Sequence, residues 1–108
     1  MDKVPTQIIE DIYRYIKAIE ANNIHIDKAI LYGSYAKGSF TELSDIDLAL
    51  VSEDFEGIRF SDREKIRKFS IQINSDISPM TYRPEDFTED NPFVVEILKD
   101  GIVIRNWK

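Results

Sequence analysis

Two short segments of this chain carry residues of the kind that handle phosphate and metal. The first is Gly33-Ser34, at the head of Gly33-Ser34-Tyr35-Ala36-Lys37-Gly38-Ser39. The second is Asp45-x-Asp47, reached after the ten residues 35 to 44. Glycine adopts backbone angles closed to other residues and lets a phosphate approach the main chain. Ser34 adds a hydroxyl and an amide, and Lys37 a charge. If Ser34 to Lys37 begin a helix, their unpaired amides also point at an anion. Asp45 and Asp47 stand at i and i+2 of an apolar run that reads as a strand from Asp45 to Val51. Side chains two apart in a strand share a face, so both carboxylates look the same way. Like charges held roughly 4 Å apart repel by a few kcal/mol at an intermediate effective dielectric. A hard divalent cation turns that repulsion into attraction, and Mg²⁺ commonly takes one or two carboxylates plus phosphate oxygens. Each segment alone is a weak signal; together, on either side of a predicted strand, they are a strong one.

The elements that must position these residues are legible from periodicity. From Pro5 to Asn22, Ile8, Ile9, Ile12, Tyr13, Ile16 and Ile19 recur at helical spacing, with charged residues mostly opposite. Lys28 to Tyr32 is a short apolar strand running straight into Gly33. A second helix is expected from about Ser61 to Asn74, with Ser61 as N-cap and Glu64 completing a capping box. That helix buries Ile66, Phe69 and Ile73, and its basic run Arg63, Lys65, Arg67 and Lys68 reads as a solvated face. Asp76 to Tyr82 is a third strand, in which Pro79 suggests an edge position or an irregularity. Pro84 to Phe87 opens a short turn or helix. A last helix starts at Asn91-Pro92, with acidic residues early and Lys99 late as the helix dipole prefers. Gly101 ends it, and Ile102 to Ile104 forms a final strand. Strands alternating with helices predict an α/β (α+β) domain, a small mixed sheet of about four strands flanked by helices, strands 1 to 3 side by side.

The whole chain of 108 residues is expected to be a single domain. It has no cysteine, which excludes disulfides and thiolate metal sites, and its single histidine, His25, excludes multi-histidine ones. No apolar run approaches the ~18 residues of a membrane span, and the N-terminus lacks a signal-peptide layout, so a cytoplasmic location is the default. The net charge of −6 gives no sign of a grip on long nucleic acid. A single nucleotide can still bind if metal ions screen the carboxylates.

Gly33-Ser34, ten residues and Asp45-x-Asp47 together resemble the signature of the DNA polymerase beta-like nucleotidyltransferase superfamily. The short chain resembles its minimal nucleotidyltransferase branch, over nearly everything from Tyr32 to Tyr82. The resemblance implies a nucleotidyltransferase-like fold and a third carboxylate on a neighbouring strand, for which Asp76 is the candidate. Family members often carry arginine where this chain has Tyr35 and Lys37. The resemblance further implies transfer of a nucleoside monophosphate, AMP from ATP, to a hydroxyl acceptor with release of pyrophosphate. Two Mg²⁺ ions would be held by Asp45, Asp47 and Asp76, with Asp76 also the general base. Gly33, Ser34 and Lys37 would hold the triphosphate. The chain stops at Lys108 with no acceptor-binding domain after the last strand, so the partner is expected to be the substrate or to complete the site. Minimal members resemble antitoxins that attach AMP to a tyrosine of a helical HEPN toxin, and exposed Tyr82 and Trp107 are candidate contacts. Two alternatives remain open: a non-catalytic antitoxin acting by occlusion, and transfer to a small molecule such as an antibiotic, with a dimer mate forming the acceptor wall.

Overall fold

The molecule is a four-stranded mixed sheet with helices on both faces, seen in a computed structural model that describes residues 4–106. The elements run α1 (Thr6–Glu20), β1 (Lys28–Tyr32), α2 (Ser34–Lys37), β2 (Ile46–Val51), α3 (Arg59–Ile73), β3 (Ile77–Tyr82), α4 (Pro92–Asp100) and β4 (Ile102–Asn106). The strand order is β3-β2-β1-β4. Strand β1 lies antiparallel to both β2 and β4, whereas β2 and β3 are parallel. The expected fold class and the side-by-side strands 1 to 3 are therefore observed. Pro79 does sit on an edge strand, where its missing N–H leaves no central ladder bond unmade.

Strand alternation divides the core in two. Leu31, Ile46, Leu48, Leu50 and Ile77 face α1 and α3, meeting Ile12, Tyr15, Ile16, Ile19, Ile66 and Phe69. Ile30, Ala49, Val51 and Tyr82 face the other way and are covered by Val94 and Ile97 of α4. Asp47 has the same parity as Ala49 and Val51, so it lies on the α4 face. Leu48 and Ile46, of opposite parity, anchor the strand in the larger core. Gly101 closes α4 where a side chain would meet Ile30 and the Ile97 backbone.

Two local expectations give way. Helix α3 starts two residues early, at Arg59, with no side-chain cap from Ser61. Asp62, 1% exposed, turns back instead and accepts the N–H groups of Glu56 (2.8 Å) and Gly57 (2.9 Å). A carboxylate taking two amides orders the preceding loop more firmly than a hydroxyl taking one. Asp62→Ala would leave both amides without this acceptor and is expected to cost about 2–3 kcal/mol, read as a lower urea midpoint. Helix α4 likewise has no acidic residue in its first turn; the Asn91 side chain caps it by accepting the Phe93 N–H (2.9 Å). His25 is exposed, 3.2 Å from Asp27, and the Ser52 hydroxyl donates to its carbonyl. Among the described residues, no helix is long and apolar enough to cross a membrane.

Candidate active site

The turn after β1 brings the two motif segments into contact. Gly33 holds φ +74° and ψ −151°, the left-handed half of backbone space where only glycine is at ease. That geometry turns the chain sharply out of β1 into α2. Across the antiparallel ladder Tyr32 pairs with Asp47, so the glycine emerges beside the carboxylate. A Cβ at Gly33 would come within 3.1 Å of Asp47 Cγ, and closer still to Oδ2. The cradle and the carboxylate thus share one space that a side chain at position 33 would fill.

Helix α2 is a single turn. The Ala36 and Lys37 amides close back onto the Gly33 carbonyl, both at 3.1 Å, and the Ser39 amide onto the Ser34 carbonyl at 3.0 Å. Among the described residues, no acceptor in the chain meets the amides of Ser34 and Tyr35. The expectation of unpaired amides from Ser34 to Lys37 therefore narrows to these two. The Tyr35 side chain is buried and stacks on Phe40, ring centroids 4.5 Å apart. It is a packing residue and faces the core, so an arginine-like role at that position is absent here. Lys37 is exposed at the far end of the turn.

Asp45 lies one residue before β2, not within it, and is exposed, while Asp47 is half-buried. Burial first, and then the Asp45 charge, push the Asp47 carboxyl above the usual aspartate value. Tyr32, beside it, is pushed up to about 12 by burial and by the charge of Asp47. Asp76 stands on the other side of the pair. The parallel register sets Ile46 against Ile77, so Asp45 and Asp76 are the residues immediately preceding two adjacent strands. The Ile46 amide donates to the Asp76 carbonyl at 2.9 Å. Asp76 is held in turn by Asn74, whose Oδ1 accepts the Asp76 N–H (3.0 Å) and whose Nδ2 donates to buried Asp11 of α1 (3.0 Å). This Asp11–Asn74 brace escaped sequence reasoning because its two partners are 63 residues apart.

Asp45 and Asp47 could hold one hard divalent cation. Both offer oxygen donors, their mutual repulsion is unrelieved by any cationic side chain at salt-bridge distance among the described residues, and phosphate oxygens or water can complete the shell. The residues fit that group. Among the described residues, no three histidine, cysteine or acidic side chains converge closely enough to hold a metal by themselves. A site shared with Asp76 therefore needs substrate oxygens or side-chain movement.

Beyond Asp45 and Asp76 opens a cavity of about 820 Å³. Its far wall is the α3 stripe Arg59, Arg63 and Arg67, with Phe60 and Ile71 beside it. The basic run on α3 is thus only partly a solvated face. Spacing of i, i+4 and i+8 was the available signal, since it puts three cations on one stripe. Tyr82, in contrast, is 3% exposed and covered by Phe87 and Arg59, so it is not a surface contact. Trp107 lies outside the described residues.

Comparison with known proteins finds likeness in both sequence and fold. The family model described as "Polymerase beta, Nucleotidyltransferase" matches residues 14–107. Three proteins of Methanocaldococcus jannaschii, each bearing the provisional name protein adenylyltransferase, are similar in sequence. One is 28% identical over 91% of this chain and 96% of its own. A second is 34% identical over 64% of this chain, and a third 41% identical over 46%; the matched region spans about half of each. Among solved structures, one provisionally named a nucleotidyltransferase from Sulfolobus solfataricus superposes with TM-score 0.64 at 17% identity, over 90% of this chain and 80% of that one. Another, described as a toxin-antitoxin with AMP-PNP, gives TM-score 0.60 at 20% identity, over 87% and 73%. At those identities the structural likeness concerns the fold.

Proposed function

Because the chain belongs to the polymerase beta nucleotidyltransferase family, we propose that it moves AMP from ATP onto a hydroxyl of a partner protein, the tyrosine of a HEPN-type toxin that it neutralises as antitoxin. The observation that carries the reading is the shared space of Gly33 and Asp47, which sets an anion cradle against a carboxylate pair. The names of the sequence relatives support AMP as the transferred group and protein as the acceptor. The toxin-antitoxin neighbour with AMP-PNP supports the pairing.

In this reading the Ser34 and Tyr35 amides and the Ser34 hydroxyl orient the β- and γ-phosphates, with Lys37 adding charge from the end of α2. Asp45 and Asp47 would hold Mg²⁺, which when bound offsets phosphate charge and lowers the pKa of an acceptor hydroxyl. Asp76, fixed through Asn74, accepts the proton of the acceptor hydroxyl. The freed oxygen forms a bond to the α-phosphorus, the α–β bridging bond breaks, and pyrophosphate leaves. The roles of these residues are part of the proposal, as is the folding of the 108 residues as one domain.

The test is incubation of the protein and its toxin with Mg²⁺ and ATP labelled on the α-phosphate. Label should appear on the toxin and vanish in Asp45→Asn or with chelator. Full neutralisation of the toxin by Asp45→Asn would overturn catalysis in favour of occlusion. Asp76→Ala separates the roles further. It is expected to keep nucleotide affinity, measured by calorimetry, while transfer falls at least about a hundredfold.

A further inference from the structure

Strand order places the two sides of the aspartate pair on different neighbours. Gly33 and Ser34 follow β1, on one side of β2; Asp76 precedes β3, on the other. A triphosphate on the Gly33 cradle therefore leaves the β3 side free, and the cavity of about 820 Å³ lies on that side. Its α3 wall carries three arginines, Arg59, Arg63 and Arg67, and one carboxylate, Glu64. Arg63 has no carboxylate within ion-pair distance among the described residues. Arg59 rests over the Tyr82 ring at 5.3 Å, which leaves its N–H groups free for an anion. Among the described residues the Arg67 guanidinium pairs with Glu64 alone, at 3.9 Å and on the exposed surface, a pair of little strength. Phe60 and Ile71 on the same wall are 76% and 58% exposed.

Resting on the nucleotidyl-transfer reading above, we infer that this cavity is the acceptor cleft and that it takes an acidic protein segment. Carboxylates flanking the reactive hydroxyl engage the arginine stripe, and an apolar neighbour covers Phe60 and Ile71. Guanidinium forks suit carboxylates in paired geometry. A peptide is favoured over nucleic acid for two reasons: the stripe is a confined cationic strip on a chain of net charge −6, and apolar side chains share its wall. Asp45 and Asp76 at the opposite end repel the acidic flanks, so the segment lies with its carboxylates toward α3 and its hydroxyl toward Asp76. The cleft thereby sets register as well as affinity.

The experiment measures binding by fluorescence anisotropy at low salt. The probe is a labelled short peptide with a central tyrosine flanked by glutamates, compared with glutamine and lysine versions and a single-stranded RNA of similar length. The acidic peptide should bind best, and the double variant Arg59→Ala, Arg63→Ala should weaken it about tenfold. The same variant, checked for fold by circular dichroism, should bind ATP as the unmodified protein does, and lysine at both positions should restore part of the loss. Equal affinity for the three peptides would overturn the inference. So would arginine-dependent binding that favours the RNA, or loss of ATP affinity in the double variant. AMP transfer is scored separately, with Asp45→Asn as control. Arginine-dependent acidic-peptide binding without transfer would count against the catalytic reading and leave the cleft standing.

Discussion

Asp47→Asn is expected to abolish nucleotidyl transfer and, in the same molecule, to make the fold more stable. Both effects follow from one fact: the Asp47 carboxyl is partly desolvated and stands against the Asp45 charge, so its ionised form is disfavoured in the folded protein. Asparagine has nearly the same shape but no charge. It removes the repulsion and one hard oxygen ligand together, and transfer should fall by at least about a hundredfold. The stability effect has a definite pH dependence. A carboxyl whose folded pKa is raised binds its proton more tightly folded than unfolded, so it penalises folding only when ionised. The penalty is absent at low pH. It grows as pH rises past the unfolded value of about 3.9, and is complete above the raised folded value. The difference in melting temperature between Asp47→Asn and the unmodified protein should therefore be largest near neutral pH and shrink toward zero in acid. Mg²⁺ with nucleotide should reverse the order, because a ligand that binds only the folded, charged site stabilises that protein alone. A variant no more stable than the original at neutral pH would show that Asp47 is not held against its own charge.

How much of this site the sequence disclosed depends on the range of the forces involved. The turn from β1 through Gly33 to β2 was legible because it is local: an apolar run, a glycine and a second apolar run sit within twenty-odd positions of one another. Strand parity put Asp45 and Asp47 on one face, whereas β2 begins at Ile46 and leaves Asp45 exposed just before it. Helix α3 was harder. Ile66 and Phe69 are buried, yet Phe60 and Ile71 are exposed, so its apolar residues do not mark a single inner stripe. Without that stripe the direction of Arg63 and Arg67 was undetermined and the basic run defaulted to solvent, while Arg59 fell before the expected start of the helix. The Ser61 box failed for a related reason. Asp62 competes for the same end of the helix, and a buried carboxylate accepting two loop amides outweighs a serine cap. The burial of Tyr82 depends on α4 docking against the sheet, and the Asp11–Asn74 brace on α1 meeting the end of α3, contacts that no local pattern encodes.

Gly33→Ala is expected to be nearly as damaging to transfer as Gly33→Val, although alanine adds one methyl group. Two separate penalties meet at this position. A non-glycine residue at φ +74° costs on the order of 1–3 kcal/mol wherever it occurs. The added Cβ must also displace the Asp47 carboxylate, whose Cγ would lie 3.1 Å away and whose Oδ2 would lie nearer. The first penalty lowers stability. The second moves a proposed metal ligand, so nucleotide affinity in the presence of Mg²⁺ should fall even under conditions where the variant is fully folded. A double-mutant cycle separates them. In an Asp47→Ala background the carboxylate is gone and the contact left is the Cβ of position 47 at 3.3 Å, so Gly33→Ala should then cost the backbone strain and little more. The two substitutions are accordingly expected to be non-additive in urea denaturation, the pair less destabilised than the sum of its parts. Transfer would be absent in both Asp47→Ala backgrounds. Additive stabilities, or Mg²⁺-dependent nucleotide affinity unchanged by Gly33→Ala alone, would mean that the turn and the carboxylate do not share the space on which the cradle depends.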